Sequence, residues 1–580
     1  MAVLVSAMTT TVLDGMNLGF RERYLLHDEV TAQLRAWAER FPEVARLRSL
    51  GQSLEGRDLW LLELGPEPDR DRPSVWIDGN MHAQEVSGSS VALAIAEDVL
   101  RLQLDPDLRP HGLPPSTLAT LRELRFFVLP RMCPDGAEQI LTSGRYARSN
   151  PRDRRPHQKP RWVSGDVDGD GLAMLMRLQD PSGDFVESKA EPGLMVPREL
   201  DDEGPFFRIF PEGHIESFDG TLPEASYLSD NDTDLNRNFP WSWAPEPDQI
   251  GAGAFPTSEP ESRAVVAFTS AHPSIFAWLN LHTFGGVYIR PPGHLPDHKM
   301  DQEDLALFRQ LEAWGEEHGG YPTVSGYTEF LYEPEKPLRG DLADYAYHQR
   351  GALALVCELW DLFAQAGLPR KKPFVSSYSH LSRTDLESIA RWDREHNRGR
   401  CLRPWVPVQH PQLGAVEVGG LDPRVGLANP SLELLPQVCA RQTAFLLRMA
   451  AMAPRLVLGE PRITPLGGDL HQVEIEVRNL GYLGTQITQE SRRLPWNEGV
   501  FVTAQSEGVT LVEPTAARQA LGHLEGWGHG RFSGHTTIFL QRSHRNRTAA
   551  QVRFLVRGTG VLQVRAGSTR TGWIETRIDL

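Results

Sequence analysis

The stretch "SVWIDGNMHAQEVSGSSVALAIAEDVL", residues 74–100, reads as a short apolar strand, a polar turn and an apolar helix. The first residues are β-branched or aromatic and end at Asp-Gly-Asn, which is a strand signal. The small and apolar run that follows is too long for a strand. The turn between them carries His82 and Glu85. The same rhythm continues outward. "RFFVLPRM" at 125–132, "SIFAWLNLHTF" at 274–284 and "GALALVCELWD" at 351–361 read as further buried strands. Upstream, Val30, Leu34, Trp37, Ala38 and Phe41 have the spacing of an amphipathic helix that stops before Pro42. Strands alternating with helices indicate an α/β domain with a largely parallel sheet, whose site forms at the carboxyl ends of the strands.

Residues 163–235 interrupt this rhythm with Asp, Gly, Glu and Pro and no clear periodicity, and they read as an acidic insertion. After Pro454 the pattern changes to alternating strands such as "HQVEIEVRNLG" and "QVRFLVRG". The expected organisation is therefore one domain over 20–453, with the insertion at about 163–235, followed by a C-terminal β-sandwich over 455–580.

The 580 residues suffice for two to four domains. A net charge of -16, from 60 basic and 76 acidic residues, argues against a nucleic-acid partner. The basic run "RSNPRDRRPHQKPR" at 148–161 is too short to change that. No run of about 18 apolar residues is present to span a membrane. Four cysteines, Cys133, Cys357, Cys401 and Cys439, form neither a disulfide framework nor a metal spacing. The start, "MAVLVSAMTTTVLDG", lacks a basic segment before its apolar run, so a cytoplasmic location is expected. Composition leaves the oligomeric state open.

An HxxE pair is weak evidence of a metal site by itself. His471 and Glu474 repeat it inside an alternating strand, where residues three apart face opposite ways and cannot share an ion. His82 and Glu85 instead follow a strand and lead into a helix, where such side chains converge. A catalytic zinc needs a third ligand and an open position. His282, closing an apolar strand just before Gly285 and Gly286, supplies that ligand.

With "CPDG" at 133–136, "DLNRNFP" at 234–240 and "SEPESRAV" at 258–265, these three residues resemble the zinc-carboxypeptidase family, the carboxypeptidase A-like funnelins. The similarity runs from about residue 20 to about 450 and implies an eight-stranded mixed sheet flanked by helices, one zinc ion per chain and a peptide substrate with a free C-terminus. The resemblance also implies a general base fourteen residues beyond the aspartate of "DYAY". Counting from Asp344, that residue is Glu358, with Glu417 as its rival. Asn236 and Arg237 would grip the terminal carboxylate. Arg148, with Arg152 behind it, would stabilise the oxyanion, and Tyr332 would close over the substrate. Gln84 stands where the family often carries an arginine. The alternatives are a related zinc amidohydrolase or cell-wall peptide endopeptidase acting on the same ligands, or a non-catalytic zinc-binding scaffold.

Asp166, Asp168 and Asp170 resemble the start of a calcium loop, although Arg177 stands where such a loop ends in glutamate.

Overall fold

The structure, a computed structural model, describes residues 13–155, 158–224, 233–333, 336–531 and 546–580. Residues 156–157 of the basic run and 225–232 of the expected insertion lie outside the described residues.

Eight strands form the central sheet: β1 (Ala45–Gln52), β2 (Asp58–Leu64), β3 (Ser74–Gly79), β4 (Arg125–Leu129), β5 (Ile275–Thr283), β6 (Val287–Arg290), β7 (Thr323–Ser325) and β8 (Leu353–Leu359). Their spatial order is β1-β2-β4-β3-β5-β8-β6-β7. The inner four, β4, β3, β5 and β8, are parallel. β1 and β2 on one side and β6 on the other pair antiparallel, so the sheet is mixed rather than largely parallel. Strands buried on both faces have no reason to alternate in polarity, and every residue of β5 is buried.

The helices that matter for the site are α1 (His27–Arg40), α2 (Ser87–Leu104), α3 (Pro134–Ser143), α4 (Pro260–Ala271) and α5 (Leu435–Ala450). α1, α2 and α5 cover one face of the sheet, packing Leu34, Ile95 and Phe445 into one core with Val75, Ile77 and Leu279. α4 covers the other face, where Val265 and Phe268 join Trp76, Phe127 and Trp278.

The expected insertion folds into strands and recruits distant chain. Leu175–Gln179, Phe185–Glu187, Met195–Pro197 and Phe206–Pro211 join Leu402–His410 and Gly414–Leu421 in one six-stranded sheet. Arg177 binds it together. It is buried, it pairs with Glu417 at 2.7 Å and Glu187 at 2.9 Å, and it lies over the rings of Phe207 and Trp405. Pairing partners 240 residues apart leave no local periodicity to read.

The last part of the chain forms two sheets, of five and four strands. They share a core that includes Val473, Ile475, Val502, Phe554 and Val564. This β-rich part is joined to the α/β part through Asp304, which accepts the N–H groups of Gln489 and Glu490 at 2.6 and 3.1 Å. Buried Arg570 adds to the junction by donating to the Arg350 carbonyl at 2.7 Å. Among the described residues no helix is long and apolar enough to cross a membrane.

Candidate active site

The His82–Glu85 pair stands on a turn, not in the helix expected to align it. α2 begins only at Ser87, and the Glu85 N–H closes the turn by donating to the His82 carbonyl at 3.1 Å. A tight turn brings residues three apart together as a helix does. Asn80 braces it from a left-handed conformation (φ 58°) that Asn tolerates better than most residues. Its amide donates to the carbonyls of His82 and Ala83 at 2.8 and 3.1 Å. Behind the turn, strand and helix cross closely: a Cβ on Gly79 would lie 2.5 Å from the Gly88 carbonyl oxygen.

His282 lies near the end of β5, beside β3, and its ring meets the turn. The two Nδ1 atoms are 3.1 Å apart. Glu85 Oε1 lies 2.8 Å from His82 Nδ1, and Oε2 lies 3.0 Å from His282 Nδ1. All three residues are buried. On the opposite flank of β5, the register partner of His282 on β8 is Glu358.

Outer partners decide where the protons sit. His82 Nε2 faces Asp234 Oδ1 at 3.2 Å, and His282 Nε2 faces Asn280 Oδ1 at 2.7 Å. Asp234 is an acceptor, and Asn280 presents its oxygen because its NH2 donates to Asp78. In the neutral imidazoles both Nε2 atoms therefore carry the proton and both Nδ1 atoms present lone pairs. Burial disfavours the charged form of His282, but Glu85 raises its pKa, so the place between the rings and the carboxylate is one that a proton or a metal cation can fill. Their donor atoms all lie within 4.8 Å of one another. Two imidazoles and one carboxylate are a donor set that zinc takes in catalytic sites, with a position left open. The residues fit the ion.

Asp78 anchors this arrangement. It accepts the indole N–H groups of Trp76 and Trp278 at 2.7 and 2.8 Å, besides the Asn280 amide. Burial pushes its pKa up to about 6, and the three hydrogen bonds restrain that rise. The strand period of two places Trp76 and Asp78, and likewise Trp278, Asn280 and His282, on one face. Asn280→Ala frees the His282 ring and its tautomer. Zinc affinity is expected to fall by about 10–100-fold, read by competition with a chromophoric chelator while circular dichroism reports an intact fold.

Glu358 is half-buried near the end of β8. Burial pushes its pKa up to about 8, His282 and Arg148 pull it down, and Glu85 adds to the rise. Arg148 donates Nε to Asp234 Oδ2 at 3.2 Å, and its Nη1 lies 3.8 Å from Glu85. Burial disfavours its charge, but Asp234, Tyr146 and Glu85 together hold its pKa above the ordinary range. The Asp234 carboxylate thus orients His82 and Arg148 at once. It also accepts the Asn236 N–H at 2.8 Å, which shapes the short turn Leu235–Arg237. Asn236 Oδ1 in turn accepts the Leu342 N–H at 2.9 Å. Tyr332 is 55% exposed. Burial of its phenol still raises the pKa, the charges of Arg148, Glu358, Arg237 and Asp234 act on it, and its ring stands edge-on to that of Phe330 at 6.3 Å.

Residues 30–375, more than half of the chain, match the family model described as zinc carboxypeptidase. The chain belongs to the zinc carboxypeptidase family. Residues 455–579 match a second model, a domain of unknown function. Carboxypeptidase B of Astacus astacus is 32% identical over 120 residues, covering 20% of this chain and 35% of that enzyme. Carboxypeptidase D of Mus musculus is 32% identical over 109 residues, covering 18% of this chain and 7% of that protein. The matched stretches therefore span about a third or less of these relatives. Among solved structures, thrombin activatable fibrinolysis inhibitor covers 66% of this chain and 77% of its own at 18% identity and a TM-score of 0.39.

In this zinc carboxypeptidase family member three expectations fall outside the site. Arg152 pairs with Glu259 at 2.8 Å. Glu417 is held by Arg177 in the six-stranded sheet. The calcium reading is not carried either. Asp166 accepts the N–H groups of Gly169 and Gly171, Asp168 that of Asp170, and Asp170 that of Leu172. The carboxylates close a turn on its own backbone. In space Asp166 and Asp168 neighbour Glu212 instead of Asp170, and Glu212 is occupied by the N–H groups of Val167 and Met174. Asp78, Asn280 and Asp234 received no role from the sequence. For the first two the signal was a polar residue inside an apolar strand, two positions beyond a tryptophan.

Proposed function

We propose that the protein is a zinc-dependent metallocarboxypeptidase that hydrolyses the C-terminal peptide bond of peptides with a free C-terminus. The observation that carries the reading is the buried cluster of two imidazoles and one carboxylate, whose donor atoms converge as a metal needs, with half-buried, ionisable Glu358 beside it. Zinc, when held by His82, Glu85 and His282, supplies Lewis acidity that polarises a carbonyl and acidifies water.

The chain's own residues do the rest. Glu358 takes a proton from the attacking water and returns it to the departing amine, a task suited to a carboxyl whose pKa has been raised toward neutrality. Arg148, fixed by Asp234, presents its charge where the oxyanion develops. Asn236 and Arg237 meet the terminal carboxylate, and the planar guanidinium offers two parallel donors to its two oxygens. Holding that end converts the attack into an effectively intramolecular step. Tyr332 closes over the bound residue from the solvent side.

The test is a pair of peptides that differ only at the terminus. Amidation of the C-terminus is expected to lower kcat/KM by about 100-fold or more, because the amide leaves the Arg237 charge unmet. Mass spectrometry of the products should show single residues released from the carboxyl end. Equal cleavage of the amide would assign the site to an endopeptidase or amidohydrolase reaction.

A further inference from the structure

A cavity of about 240 Å³ lies between the metal-ligand turn and the inserted six-stranded sheet. One wall is Gln84 and Tyr146. The other is Met174 and Leu175 from the insertion, with Leu421 at the end of the strand Gly414–Leu421 that pairs with Leu175–Gln179. The cavity shares its first wall with the chain segments that carry the site. Gln84 stands directly between His82 and Glu85, the Ala83 N–H donates to the Arg148 carbonyl at 3.0 Å, and Tyr146 acts on the Arg148 charge.

The walls are fixed to the ligand turn rather than draped over it. Asn429, just past the Leu421 wall, donates to the Gln84 carbonyl at 2.7 Å and accepts the Ser87 N–H at 2.9 Å. The Ala173 N–H donates to the Ser143 carbonyl at 2.8 Å, where α3 ends. There Gly144 is left-handed (φ 67°), and a Cβ on it would sit 3.0 Å from the Ala173 carbonyl oxygen. Only glycine allows the insertion to seat this closely.

The lining brings no net charge. Asp422 and Arg424, at its edge, pair with each other at 2.8 Å, and Gln84 is neutral. What remains is mostly apolar. None of the residues assigned to the terminal carboxylate lies in it.

We propose that this cavity is a subsite for an apolar side chain of the peptide upstream of the scissile bond, built by the insertion and the 421–429 segment. The inference rests on the carboxypeptidase reading. With the last residue of a peptide held at Asn236 and Arg237, its upstream part would run past Arg148 toward Gln84, beside the ligand Glu85, and Tyr146, two residues before Arg148, which both line the cavity. A dry apolar pocket discriminates by about tenfold or more between an apolar side chain and one that fits it poorly.

The test uses the zinc-loaded full-length protein and N-blocked peptides that share one C-terminal residue. They are lengthened one residue at a time, with Leu, Asp or Lys placed at each upstream position in turn. At one upstream position kcat/KM is expected to rise about tenfold or more for Leu over Asp and Lys. In Met174→Asp, the ratio of kcat/KM for that Leu peptide to kcat/KM for the shortest substrate is expected to fall by about tenfold. Hydrolysis that ignores both length and upstream side chain, or a ratio unchanged by Met174→Asp, overturns the subsite alone. If no free-C-terminus peptide is cut at all, the carboxypeptidase reading fails and the subsite with it.

Discussion

Glu358→Gln is expected to lower kcat for peptide hydrolysis by about 10²–10⁴-fold, the usual contribution of a positioned general base, while zinc stays bound. The amide keeps the size and shape of the carboxyl at a buried strand end but cannot take a proton. The three metal ligands are untouched, so zinc content measured by atomic absorption should match the wild type. The pH profile carries the same logic. A base works only when ionised, so kcat/KM should rise with pH through the Glu358 pKa. In the metal-free protein burial pushes that pKa up to about 8. A cation at the neighbouring cluster adds positive charge and lowers it, so the acid limb should lie below 8. In the absence of metal the sign for stability is the reverse of the usual carboxylate case. The folded pKa lies above the ordinary glutamate value of 4.5, so stability from Glu358 is present at low pH and lost as pH rises from 4.5 to about 8. Metal-free Glu358→Gln should therefore melt higher than metal-free wild type at pH 8. Normal turnover by this variant would sink the assignment of the base.

The second large effect concerns the ion. Removing zinc with a chelator should abolish hydrolysis, and adding zinc back should restore it. His282→Ala should remain inactive at the same zinc concentration, because its loss leaves one imidazole and one carboxylate. In the cluster the two Nδ1 atoms stand 3.1 Å apart with the Glu85 carboxylate against both, so a cation bound there meets all three donors at once. Binding an ion to the folded state alone stabilises it by about 4 kcal/mol at a thousand times Kd. The melting temperature of the wild type should therefore climb with zinc concentration, whereas that of His282→Ala should respond far less. Zinc-independent hydrolysis, or an equal thermal response in the variant, would contradict the ligand set.

Much of the site could be read without coordinates because its signals are local. A strand must end where "WIDGN" meets Gly79, since the polar turn cannot continue a buried strand, and this places His82 and Glu85 at a sheet's carboxyl edge. His282 near the end of "FAWLNLHT" and Glu358 near the end of "LALVCEL" obey the same rule, and adjacent parallel strands then set them in register. The alternation of strands and helices needs only the periodicity of apolar residues, so the α/β class follows from the chain. So does the change to β structure after Pro454.

What the folded molecule alone decided depends on contacts between residues far apart in the chain. Asp78 and Asn280 look like flaws in apolar strands until β3 and β5 pair and their side chains meet the two indoles and the His282 ring. Asp234 becomes the shared support of His82 and Arg148 only once the turn and the "DLNRN" segment come together, 152 and 86 residues away in sequence. The insertion's strands find partners at 402–421, so its order is invisible in any short window. Short-range periodicity reports which face of an element is buried, and it carries no information about which distant face will bury it.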